Sequence, residues 1–66
     1  MTYEQYIAQA KANGISVDWG INWIWFNGFK SKEACEAFIK EAMNHEFGES
    51  RGVYDNPDGT FSTRMR

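Results

Sequence analysis

At 66 residues the chain has room for one domain around one core, which excludes a second domain and multi-part catalytic machinery. A 42% apolar fraction and a net charge of -2 exclude an intrinsically disordered chain. The acidic balance also argues against non-specific nucleic-acid binding, whose affinity comes mostly from neutralising phosphates. Three Trp, three Tyr and five Phe stand beside no leucine at all. So short a chain buries a small share of its surface, and a few large rings recover what many small side chains cannot. An aromatic core is therefore expected.

In chain order, Thr2 followed three residues later by Gln5 matches a capping box, so a helix is predicted from Tyr3. Asn13-Gly14 should stop it, with Gly14 left-handed and Ile15 folding back toward Ala10. Tyr3, Tyr6, Ile7 and Ala10 share its apolar face. From Ile15 the period changes to two, and Ile15, Val17 and Trp19 alternate with Ser16 and Asp18 as in a half-buried strand. Gly20 ends it. Trp23 to Phe26 reads as a second strand that ends at Asn27-Gly28, with residues 20–22 turning between the two. One long bent strand over residues 15–29 is the alternative, because Gly20-Ile21-Asn22 is a weak hairpin signal.

Ser31 is placed as the N-cap of the next helix, with Glu33 near the positive end of its dipole. This helix is predicted to run to about Phe47 and to end at Gly48. Its apolar stripe is Ala34, Cys35, Phe38, Ile39, Ala42 and Met43, and Glu33, Glu36, Ala37, Lys40 and Asn44 lie opposite. Asn56-Pro57-Asp58-Gly59 is a strong turn signal between strands Arg51 to Asp55 and Thr60 to Arg66. The resulting order, α-β-β-α-β-β, predicts an α+β fold with two helices on one face of a small, mainly antiparallel four-stranded sheet.

No catalytic set emerges. The single His45 sits where the dipole of a helix end favours it, with Glu41 one turn earlier, and Cys35 lies on the core-facing stripe as a small hydrophobe. The glycines form neither GxGxxG nor a phosphate loop and serve caps and turns. Asp55, Asn56 and Asp58 resemble calcium ligands, but Pro57 and the missing twelfth-position glutamate favour the turn. We therefore expect no enzyme, no metal and no cofactor. One cysteine makes no internal disulfide, and the longest apolar run, Trp23 to Phe26, is far too short to span a bilayer. With no basic and apolar leader at the N-terminus, the chain is expected to be a whole small cytoplasmic gene product with no membrane contact.

Two surfaces are candidates for binding. Along the strand, Trp23 and Trp25 point opposite to Ile24 and Phe26, so either both sheet faces are covered or a tryptophan pair faces outward. The bland reading is core packing, and the functional one is a partner or self-association surface. The acidic helix face, Glu33, Glu36 and Glu41 with Glu46 and Glu49 beyond, is commonly just solvated, and Glu36 with Lys40 is an ordinary stabilising pair. Otherwise it docks into a basic groove, such as one that holds nucleic acid. Arg51, Arg64 and Arg66 offer phosphate contacts for the alternative of a small nucleic-acid-binding module, and clustering of basic groups in the fold would favour it.

A short, aromatic-rich, acidic chain with no catalytic set resembles the small phage-encoded antagonists of bacterial defence, notably anti-CRISPR proteins. The resemblance is one of size and composition, spans the whole chain and rests on no diagnostic motif. It implies a non-enzymatic inhibitor that binds a nuclease effector complex and blocks nucleic-acid access or a conformational step. A protein partner is thus expected, with the chain a monomer or weak homodimer. Other readings are the nucleic-acid module and a homo-oligomerising domain built on Trp23 and Trp25.

Overall fold

Thr2 caps the first helix as its sequence requires. The Thr2 hydroxyl accepts from the Gln5 amide at 3.2 Å, and the Thr2 amide donates to Gln5 Oε1 at 2.8 Å. The computed structural model describes residues 2–44 and 47–66, and places this helix, α1, over Tyr3–Ala12. Gly14 takes a φ of +82°, and the Ile15 amide donates back to the Ala10 carbonyl at 2.9 Å, as a C-terminal cap of this type predicts. Ser31 caps the second helix, α2, which covers Lys32–Met43. It stops at Asn44, short of the predicted Phe47. His45 and Glu46 lie outside the described residues, and Phe47 is buried beyond the helix, its amide donating to the Ala42 carbonyl at 3.3 Å.

Four antiparallel strands form one sheet in the order β1-β2-β4-β3, where β1 is Ser16–Trp19, β2 is Ile24–Phe29, β3 is Ser50–Asp55 and β4 is Phe61–Met65. Residues 15–29 are thus two strands. β2 does not end at Asn27-Gly28, because Gly28 forms a bulge at a φ of +102° and the strand continues to Phe29. One residue more in β2 than in β4 restores the inward parity, so that Phe26 and Phe29, three apart, are both buried. A second bulge sets Arg51 and Gly52 opposite the single Arg64, because Ser50 pairs with Met65 and Val53 with Thr63.

Both helices cover the face that carries Ile24, Phe26, Val53, Thr63 and Met65. There Phe26 is wholly buried, with ring centroids 5.0 Å from Phe38 and 5.8 Å from Phe47. Tyr6 completes the cluster, its hydroxyl donating to the Glu41 carbonyl at 3.1 Å. Of the predicted helix stripe, Cys35 and Ala42 are buried and Phe38 and Ile39 half-buried, but Ala34 and Met43 are exposed. Trp19 departs furthest from expectation. It ends the edge strand β1, with no further strand beyond it among the described residues, and stays 65% exposed.

Candidate functional site

Among the described residues no helix covers the other face of the sheet. Pairing of β2 with β4 sets Trp25 opposite Arg64 and Asn27 opposite Ser62, and pairing of β3 with β4 sets Tyr54 opposite Ser62. The same parity sends Trp23, just before β2, and Arg66, just after β4, to this side. The bulge at Gly52 turns Arg51 onto it as well, with its guanidinium 5.2 Å from the Trp23 ring centroid.

The resulting surface interleaves cations with rings. Arg64 lies between the two tryptophans, 5.0 Å from the centroid of Trp23 and 5.3 Å from that of Trp25, with Tyr54 at 5.8 Å. Arg66 approaches Trp23 to 4.6 Å, and Trp25 meets Tyr54 at 5.4 Å. Such contacts hold the guanidiniums by the negative ring faces and leave the aromatic faces only half-buried. Glu49 binds Arg66 Nε at 2.9 Å and approaches Arg51 to 3.6 Å, so one carboxylate is shared by two arginines. Asp18, on β1, accepts from Asn27 Nδ2 at 3.1 Å. Among the described residues the Arg64 side chain has neither ion pair nor hydrogen bond, and its Nε is buried without a partner.

The two residue sets expected to serve different functions, Trp23 with Trp25 and Arg51 with Arg64 and Arg66, therefore form one surface. Tyr54 belongs to it and was not foreseen, since only the strand order places it beside Trp25. The acidic set lies elsewhere. Glu33, Glu36 and Glu41 are exposed on α2, on the far side of the sheet, where Lys32 and Lys40 interrupt them.

Two further features lie away from this surface. A groove of about 640 Å³ separates the helices, floored by Tyr6, Ala10, Phe29 and Phe38 and rimmed by Lys30 and Glu41. At the turn between β1 and β2, Ile21 is fully exposed beside Trp19. The Gly20 amide donates to the Trp23 carbonyl at 2.7 Å, and a Cβ on Gly20 would meet that oxygen at 3.0 Å, so glycine permits this close approach.

Two titratable side chains outside the arginine face are shifted by their surroundings. Burial pushes the Cys35 thiol up to about 11, with Glu36 adding to the effect, which is the opposite of an activated nucleophile. Asp58 is held below the usual carboxylate range by Thr60, whose hydroxyl and amide donate to it at 2.6 and 3.0 Å within the hairpin turn. Among the described residues no three His, Cys, Asp or Glu side chains gather as a metal site, and no helix is long and apolar enough to cross a membrane. No protein-family model, curated protein or solved structure matches the chain.

Proposed function

We propose that this chain is a non-enzymatic binding protein that docks through its uncovered sheet face onto a larger protein assembly. By its resemblance in size and composition to anti-CRISPR proteins, that assembly is a nuclease effector complex, and docking blocks nucleic-acid access or a conformational step. The observation that carries the reading is the gathering of Trp23, Trp25, Tyr54, Arg51, Arg64 and Arg66 on one bare face. These are the three residue types that concentrate binding energy at protein interfaces.

The same clustering favours a second reading, a single-stranded nucleic-acid platform of stacking rings and cations. Two features weigh against it. Three guanidiniums already crowd the ring of Trp23, and Arg64 stands between Trp23 and Trp25, so the aromatic faces that bases would need are in use. Glu49 offsets part of the local charge, and the chain as a whole is acidic.

The test is target-DNA binding by purified CRISPR effector complexes with and without the chain. Inhibition by the wild type, lost in a folded Arg51→Ala, Tyr54→Ala variant, is the expected result. A gel-shift titration with single-stranded DNA and RNA at low salt should show no tight complex. Submicromolar binding that weakens steeply with salt would replace this function with the second reading.

A further inference from the structure

The three arginines of the bare face are not equivalent. Glu49 bonds Arg66 and lies near Arg51, whereas the Arg64 side chain, at the centre of the face, is met among the described residues by rings and by no acceptor. Its Nε is sealed from solvent with no acceptor, so the charge is compensated there by the ring quadrupoles of Trp23, Trp25 and Tyr54 only. Arg64 as a whole is half-buried, so its Nη end stays open to a ligand, and beside rings that exclude part of the solvent those donors interact more strongly with an anion than they would in bulk water. Contact with three flanking rings restricts the guanidinium, which removes part of the ordering entropy that a free arginine loses on binding.

We propose that Arg64, boxed by Trp23, Trp25 and Tyr54, is the receptor for one Asp or Glu carboxylate of the protein partner. This rests on the docking function argued above and names the chemistry at its centre. The two Nη groups meet the two carboxylate oxygens side by side, a geometry that a point charge such as an ammonium does not reproduce. Charge complementarity favours an anion at Arg64: three guanidiniums against the one carboxylate of Glu49 leave two positive charges, and among the described residues Arg64 is the arginine of this face that no carboxylate approaches, since Glu49 lies at Arg51 and Arg66. One carboxylate matches the paired Nη donors of this residue, whereas a nucleic-acid strand would find the ring faces taken and Glu49 facing its phosphates.

The experiment follows the Arg64 side-chain and Trp indole N–H signals by NMR, on the full chain at constant ionic strength. The probes are a blocked peptide with one central glutamate, the same peptide with glutamine, and a short oligothymidylate. The glutamate peptide should give saturable shifts that the glutamine peptide does not. Arg64→Lys, which keeps the charge and loses the fork, should weaken binding about tenfold, the loss of roughly one charge-assisted hydrogen bond. Arg64→Gln should abolish it, and Lys40→Gln, an exposed change on α2 behind the sheet, should leave it nearly unchanged, with circular dichroism confirming that each variant is folded. Equal shifts from the glutamine peptide, undiminished binding in Arg64→Gln, or tighter binding of the oligothymidylate would each overturn the proposal. If the carboxylate failed to bind while the Arg51→Ala, Tyr54→Ala variant still lost inhibition, the docking face would stand and only this receptor role would fall.

Discussion

The two faces of this sheet are both rich in aromatic residues, yet they manage them by different physics. On the helix side, Phe26 is sealed by Phe38 and Phe47, and its contribution is the area removed from water together with close contact. On the bare side, the rings of Trp23, Trp25 and Tyr54 are screened by arginine guanidiniums that lie over them, held by the negative ring faces rather than by removal of apolar area alone. A small domain with only two helices cannot cover both faces. Interleaving arginine keeps the second face ordered and prevents it from presenting an unbroken apolar patch, at the cost of leaving charges that a partner can satisfy.

If that contrast is right, substitutions on the two faces separate stability from binding. The largest expected effect is Phe26→Ala, which should cost about 3 to 5 kcal/mol in urea unfolding. For so short a chain this is comparable to the whole folding free energy. A loss under about 1 kcal/mol would show that the helix side is not the core. Next comes Gly59→Val, which forces a β-branched residue to a φ of +88° in the turn that joins β3 to β4. We expect a loss of about 1 to 2 kcal/mol, read as a fall in melting temperature, with weakened docking because Arg51, Tyr54 and Arg64 lie on that hairpin. Smaller still, Trp25→Ala should cost about 1 kcal/mol in stability while removing most of the docking. A loss as large as that of Phe26→Ala would mean that the bare face is a second core.

Alkali offers a further separation. Folding holds the Cys35 thiol near 11 while the unfolded chain ionises it at about 8.5, so the unfolded state releases its proton first. Stability should therefore be level below that pH and decline as pH rises from about 9 toward 11, and Cys35→Ala should flatten this slope. Because arginine does not titrate in this range, docking by the folded fraction should persist to at least pH 9.

What was legible in the sequence was local. The capping box at Thr2 and Gln5, the N-cap at Ser31 and the Asn56-Pro57-Asp58-Gly59 turn each act within a few residues, and each is found where the residue types require it. What was not legible depends on parity and strand order. A single bulge residue at Gly28 reverses which side Phe29 faces, and Asn27-Gly28 read as a strand end carries no sign that the strand resumes. Alternation alone sets Trp23 and Trp25 opposite to Ile24 and Phe26, and residues two apart such as Arg64 and Arg66 share a side of their strand. Joining the arginines to the tryptophans needed the β2–β4 pairing, a contact between segments far apart in sequence. Tyr54 had no signal of its own, since it becomes part of the surface only once β3 is known to lie beside β4 and the bulge at Gly52 is known to set its register.

The smallest expected effect falls on the acidic helix, and it is the sharpest check on the contrast between the faces. Glu33, Glu36 and Glu41 are exposed on α2, behind the sheet as seen from the arginine face. Changing all three to lysine removes a favourable acid from the first turn and replaces the Glu36 to Lys40 attraction by repulsion. Each change costs a few tenths of a kcal/mol, and less as salt is raised. The variant should therefore lose about 1 kcal/mol or less and remain folded by circular dichroism. If docking runs through the bare face, the variant should inhibit the effector complex as the wild type does, because its altered charges lie on the opposite side of the domain. A folded triple variant that no longer inhibits, with inhibition by the wild type itself falling off in salt, would move the docking energy to α2. It would then dock as an acidic surface in a basic groove, and the arginines between the tryptophans would be left as a means of keeping an uncovered sheet face soluble.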